Sequence, residues 1–130
     1  MKLKPRVLFI DDDPAFLKIV SERVRHEGYE SLTETNADRA IKLIREGGVD
    51  VAFVDFKMPV KNGVEVIEAI RQFNPTIPLV LLTGFADSAI MEKYKTLNIH
   101  GFFSKLDDFK KLTEILKVIL RGFERSRSKS

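Results

Sequence analysis

The sequence predicts an α/β fold in which a parallel sheet is wrapped by helices on both faces. Three observations carry that expectation. Short, wholly apolar runs recur along the chain at Val7–Ile10, Val51–Val54 and Leu79–Leu82, rich in β-branched and aromatic residues, as suits strands covered on both faces. Between the runs lie stretches with apolar residues at helical spacing. The two patterns alternate, strand then helix, five times, which calls for right-handed crossovers in a doubly wound arrangement.

Taken in order, Val7–Ile10 is the first strand. Leu17, Val20 and Val24 form a helical stripe that Gly28 ends. Glu30–Thr33 is a weaker strand candidate. Ala37, Ala40, Ile41 and Ile44 make the second stripe, with Asn36 as N-cap and Gly47-Gly48 as the stop. After the strand at Val51–Val54, Val64, Ile67 and Ile70 follow Asn62-Gly63, in a helix that must end before Pro75 and Pro78. After Leu79–Leu82, a fourth helix is expected from Ala86, Ala89, Ile90, Tyr94 and Leu97. Gly101-Phe102-Phe103 is a fifth strand argued mainly from its position. Phe109, Leu112, Leu116, Ile119, Leu120 and Phe123 give the last stripe, capped by Asp107 or Asp108.

Size and charge narrow the function. At 130 residues the chain fits one domain, expected over 1–123, with a basic, disordered tail at 124–130. It has no Cys and so no disulfide framework. Its longest uncharged stretch, Gln72 to Ala86, is broken by two prolines and falls short of the ~18 apolar residues of a membrane span. The basic N-terminus lacks the ~7–15 apolar residues of a secretory signal. No membrane partner and a cytoplasmic location are therefore expected. The net charge of +3 resides at the ends: residues 7–120 hold 15 basic and 18 acidic side chains. A nucleic-acid reader would concentrate positive charge on a folded face, so direct nucleic-acid binding is not expected.

In an open parallel sheet, ligands bind beyond the carboxyl ends of the strands. The residues that follow the apolar runs are Asp11-Asp12-Asp13, Asp55, Thr83, and Ser104-Lys105. One of the three acids, Asp13 by preference, caps the helix that starts at Pro14. Carboxylates gathered at one rim repel: at ~5 Å and an effective dielectric of ~20, each pair costs on the order of 3 kcal/mol. Such a group takes up protons or binds a cation, and an all-oxygen donor set without His or Cys suits Mg²⁺. A carboxylate nucleophile, a hydroxyl, a lysine and Mg²⁺ are the parts needed to form an aspartyl phosphate.

These residues carry a resemblance. Val-Leu-Phe-Ile-Asp-Asp-Asp-Pro at 7–14, Asp-Val-Ala-Phe-Val-Asp-Phe-Lys-Met-Pro at 50–59, Asn-Gly at 62–63, Leu-Leu-Thr-Gly at 81–84 and Phe-Phe-Ser-Lys at 102–105 stand in the order and spacing of receiver domains of two-component response regulators. The chain resembles that family from Arg6 to about Phe123. The resemblance implies a flavodoxin-like fold with strand order 2-1-3-4-5. It implies Asp55 as the acceptor of a phosphoryl group from a phosphohistidine, on a sensor histidine kinase or a histidine phosphotransfer protein. It implies Asp12 as a direct Mg²⁺ ligand, Asp11 as a helper, and Asp55 and the backbone carbonyl of Lys57 as the remaining protein ligands. Thr83 and Lys105 would hold phosphoryl oxygens, and Thr83 and Phe102 would act as the switch that shifts the face formed by the fourth helix, fifth strand and fifth helix. A downstream protein partner or output domain would read that shift. The protein would be a self-modifying regulator rather than a turnover enzyme.

Three departures stand out. Leu106 follows Lys105 where the family usually has Pro, so the usual cis peptide is not expected. Gly84 replaces a commoner Ala. Lys57 stands two residues after Asp55, where its cation would pair with the phosphate and slow hydrolysis. The Asp-x-Asp of Asp11 and Asp13 also resembles phosphatases of the haloacid dehalogenase type, but that signature wants Thr or Val where Ala15 stands. A receiver that no longer takes phosphate and serves only as an interaction module is the other alternative. His26 and His100 have no partners at metal spacing and are expected to be structural or solvated. Ile115 and Val118 widen the apolar arc of the last helix beyond one buried face, which suggests a partner surface or a homodimer there.

Overall fold

The apolar runs pair into a five-stranded, all-parallel sheet. In the computed structural model, which describes residues 4–84, 92 and 95–128 and side chains as far as Arg121, the strands are β1 (Arg6–Ile10), β2 (Glu30–Glu34), β3 (Val51–Asp55), β4 (Leu79–Thr83) and β5 (Gly101–Ser104). Their spatial order is β2-β1-β3-β4-β5, as expected. The helices are α1 (Pro14–His26), α2 (Ala37–Arg45), α3 (Gly63–Phe73) and a C-terminal helix (Phe109–Ser128), with a short 3-10 turn at Lys95–Leu97. The fourth helix expected from Ala86, Ala89, Ile90 and Tyr94 lies outside the described residues; Leu97 of that stripe is in the 3-10 turn.

Uninterrupted apolar runs are required because both sheet faces are covered. Alternate residues of each strand serve opposite layers. Leu8, Ile10, Ala52, Val54, Leu79 and Leu81 face α2 and α3, against Ala40, Ile41, Ile44, Ile67 and Ile70. Val7, Phe9, Val51, Phe53, Val80 and Leu82 face α1 and the C-terminal helix, against Val20, Val24, Leu112 and Leu116. Phe9 and Phe53 sit side by side in register and stack at 4.9 Å between ring centroids. The edge strand β2 shows Glu30 and Thr33 to solvent, which guards the edge against further pairing.

The helix boundaries follow from capping chemistry. Asp13 caps α1, its side chain accepting from the N–H groups of Ala15 and Phe16, and Pro14 occupies the first turn, where no donor is lost. Asn36 caps α2 through the N–H of Arg39. Asn62 and Glu65 form a reciprocal capping box at α3. Asp108 accepts from the N–H of Lys110 at the start of the C-terminal helix. Gly28 and Gly47 take φ of +96° and +83° just after α1 and α2, a left-handed conformation that glycine adopts without the strain a Cβ brings.

At the end of α3, Arg71 forms a brace. Its guanidinium donates to the carbonyl of Asn98 at 2.7 and 3.2 Å and to that of Asn74 at 3.1 Å. The chain is thereby fixed just before it enters β5, with Asn98 itself at φ 52°. On the C-terminal helix, Ile115 packs partly into the core, whereas Val118 is 64% exposed. No helix among the described residues is long and apolar enough to cross a membrane.

Replacing Asn36 by Ala removes the N-cap of α2, just beyond the end of the edge strand β2. Urea denaturation should report a loss of about 1 kcal/mol at an unchanged dependence on denaturant. An unaltered midpoint would show that the cap contributes nothing.

Candidate phosphoacceptor and metal site

The parallel sheet delivers its polar residues to one rim. Asp11 follows β1, Asp55 ends β3, Thr83 ends β4, and Lys105 follows β5. Strand pairing sets Asp55 opposite Leu82, so Thr83 is one step further along the neighbouring strand, opposite Ser104. The N–H of Lys105 donates to the carbonyl of Thr83 at 2.8 Å, tying the ends of β4 and β5 together.

Two carboxylates are buried at this rim: Asp11 is 0% exposed and Asp55 4%. Asp11 is held by the turn it opens, because its Oδ1 accepts from the N–H of Asp13 at 3.0 Å and its own N–H donates to the carbonyl of Glu34. The Lys105 ammonium lies between the two acids, with Nζ 2.6 Å from Asp11 Oδ2 and 3.6 Å from Asp55 Oδ2. The contact with Asp11 is short but lies outside hydrogen-bond angles, so Oδ2 has an ion-pair partner without a directional bond. Asp12 is exposed above them. One oxygen each of Asp11, Asp12 and Asp55 falls within 4.8 Å of the others.

Burial first, and then the negative charge of Asp11, push the Asp55 carboxyl up from 3.8 to about 7, although Lys105 pulls the other way. For Lys105, burial is the largest single influence and lowers its affinity for a proton. Asp11, Asp55 and Asp13 together outweigh it, and the ammonium is held above its ordinary range. Three carboxylates against one ammonium leave an excess of negative charge. With the buried and incompletely bonded Asp11 oxygen and the absence of N or S donors, the residues fit a hard divalent cation such as Mg²⁺.

The other sequence-selected residues are placed as follows. Thr83 is buried at the end of β4. Phe102 is half-buried, opposite Leu81, and packs against the layer of α2 and α3. Lys57 is exposed two residues beyond Asp55. The Lys105–Leu106 peptide is trans. His26 and His100 are exposed; partial desolvation of the His100 ring by its neighbours, and then the nearby Arg71 charge, lower its pKa. A contact that the stripe of α1 did not include is Phe16, whose ring centroid lies 5.0 Å from Lys105 Nζ. Its spacing to Val20 and Val24, at i, i+4 and i+8, is the signal that would have put it on the buried face.

The family model described as the response regulator receiver domain matches residues 7–117. The chain is 33% identical over 116 residues to the probable transcriptional regulatory protein TcrX of Mycobacterium tuberculosis, covering 88% of this chain and 47% of that one. It thus spans about half the length of that relative. It is 20% identical over 118 residues to sporulation initiation phosphotransferase F of Bacillus subtilis, covering 91% of this chain and 95% of the other. Among solved structures, it is similar to chemotaxis protein CheY4 of Vibrio cholerae, with a TM-score of 0.85, 25% identity and coverage of 91% and 100%. It is likewise similar to response regulator protein TrrA of Thermotoga maritima in complex with Mg²⁺-BeF, with a TM-score of 0.81, 29% identity and coverage of 89% and 99%.

The raised Asp55 pKa makes stability depend on pH when chelator removes divalent ions. The folded state holds the Asp55 proton more tightly than the unfolded state, so the contribution of this group is complete below about pH 4 and is lost as pH rises through about 7. The rise from 3.8 to about 7 sets a ceiling of about 4 kcal/mol. In EDTA, Asp55→Asn should therefore be more stable than the unsubstituted chain at pH 8, by about 1–3 kcal/mol, and equal to it at pH 4. A difference that does not vary with pH would contradict the assignment.

Proposed function

The chain belongs to the response regulator receiver domain family, and from that premise we propose that it is a phosphorylation-driven switch of a two-component system with Asp55 as the phosphoacceptor. The observation that carries this reading is the Lys105 ammonium held between the buried carboxylates of Asp11 and Asp55. A lone buried acid would be neutral and a poor nucleophile; here charge is already arranged around it.

The donor is a phosphohistidine of a sensor histidine kinase or a histidine phosphotransfer protein. An oxygen of Asp55 bonds to phosphorus as the P–N bond breaks, and the released electron pair stays on the imidazole nitrogen, which is then protonated. Asp11, Asp12, Asp55 and the backbone carbonyl of Lys57 would hold Mg²⁺, which when bound neutralises charge that would otherwise repel the incoming phosphoryl group. Lys105 and Thr83 hold phosphoryl oxygens from the neighbouring strand ends. The hydrogen bond between Lys105 N–H and the Thr83 carbonyl makes these two ends move together.

The output is a population shift. Thr83 drawn toward the phosphoryl group leaves space that the half-buried Phe102, three residues before Lys105, turns to fill. The repacked surface, which includes the exposed Val118, is offered to a downstream partner, to an output domain or to a second copy of the chain. Such a protein modifies itself and works in the cytoplasm beside its kinase. A phosphatase with Asp11 as nucleophile fits less well, since Asp11 is fully buried, ion-paired, and bonded to the turn that follows it.

Acetyl phosphate with Mg²⁺ should label the chain once, on Asp55, as read by peptide mass spectrometry. EDTA or Asp55→Asn should abolish the label, and Lys105→Ala should slow it by about 10²–10³. Label on Asp11 would overturn the assignment. In the same assay, Lys57→Asn should shorten the lifetime of the phosphorylated chain; an unchanged lifetime would exclude a shielding role for Lys57.

A further inference from the structure

Among the described residues, the Lys105 ammonium lies beside two carboxylates and one aromatic ring at the rim. The third is the face of Phe16, 5.0 Å from Nζ, inside the ~6 Å range in which an ammonium is attracted by the negative face of an aromatic ring. The ring is fixed from several directions. Its backbone N–H is one of the donors bound by the Asp13 cap, its side chain is 9% exposed, and its centroid lies 6.1 Å from that of Phe109 on the C-terminal helix. Phe109 in turn lies 6.2 Å from Phe103, two residues before Lys105 on β5. The strand that delivers the lysine therefore also supports, through two rings, the surface on which the lysine rests.

We propose that Phe16 is a positioning residue for Lys105, holding the ammonium by a cation–π contact within reach of both Asp11 and Asp55. This rests on the receiver reading given above. A lysine side chain has four rotatable carbons and a strongly hydrated head, and an ion pair with Asp11 fixes it at a single point. The ring lies 5.0 Å from Nζ and replaces part of the lost hydration. The ammonium then shifts across the ring face from Asp11 toward an anionic group on Asp55, without first being ordered out of solvent. Take away the negative face and the lysine spends part of its time elsewhere, leaving the phosphoryl oxygens short of one positive charge.

The test uses the full chain with Phe16→Leu, Phe16→Tyr and a series carrying one, two or three fluorines on the Phe16 ring. Fluorine drains charge from the ring face at nearly constant size, which a merely space-filling role would not register. The readouts are beryllofluoride affinity in Mg²⁺ and the rate of phosphorylation by acetyl phosphate, a donor that has no docking surface. Phe16→Leu should weaken both by about fivefold, Phe16→Tyr should stay within about twofold, and the fluorinated series should fall stepwise while melting like the unsubstituted protein. A flat fluorine series overturns the proposal, and it remains decisive should Phe16→Leu fail to fold. If the unsubstituted chain takes neither beryllofluoride nor phosphate, the receiver reading fails by itself. The Lys105 Cε protons then decide the ring contact: an upfield shift in the NMR spectrum that the trifluorinated ring does not reproduce supports it, and unshifted protons overturn it.

Discussion

Placing Asp11 and Asp55 side by side, buried, at the ends of neighbouring strands is the constraint on which this molecule turns. Two carboxylates removed from water repel each other and are each poorly solvated, a cost of several kcal/mol that no surrounding apolar packing relieves. Lys105 offsets part of it, at 2.6 and 3.6 Å from the two acids. The remainder appears as the raised pKa of Asp55 and as a cluster of carboxylate oxygens suited to a divalent cation. The region therefore holds an unbalanced charge that added charge would alter.

The rest of the fold holds that imbalance in place. Strands buried on both faces set the heights of Asp11, Asp55 and Thr83 relative to one another, because a slip in register would turn apolar side chains onto the wrong layer. Aromatic contacts stiffen the layer of α1 and the C-terminal helix, within the sheet between Phe9 and Phe53 and beneath the lysine through Phe16, Phe109 and Phe103. On the opposite layer, the Arg71 brace fixes the segment that enters β5, and with it the register of Phe102 and Lys105. Charge at the rim and packing in the layers are therefore joined through β4 and β5, the strands whose ends carry Thr83 and Lys105.

Much of this was legible in the sequence, for identifiable reasons. Val7–Ile10, Val51–Val54 and Leu79–Leu82 could be assigned as strands because no amphipathic helix tolerates such runs between acids, glycines and prolines. The caps Asp13 and Asn36 could be read because their side chains act within three residues of their own position. Even the weak strand at Gly101–Phe103 was placed, from its position in the strand–helix alternation. Long-range contacts were less accessible. That Lys105 rests on Phe16 depends on how two elements 89 positions apart in the numbering meet at the sheet end, which local periodicity does not encode. The closer approach of Lys105 to Asp11 than to Asp55 is likewise a matter of side-chain reach, not of spacing. The excess apolar arc of the last helix divided once packing was visible: Ile115 serves the core and Val118 faces solvent.

The most direct measurement is a crystal structure of the chain with magnesium and beryllofluoride. With Asp55 as phosphoacceptor, the beryllium group should sit on the Asp55 carboxylate, the cation among Asp11, Asp12 and Asp55, and Lys105 Nζ should be drawn off Asp11 onto a fluoride, with the Thr83 hydroxyl on another. A bare Asp55, or a Lys105 still paired to Asp11 beside a bound beryllium group, would contradict that reading.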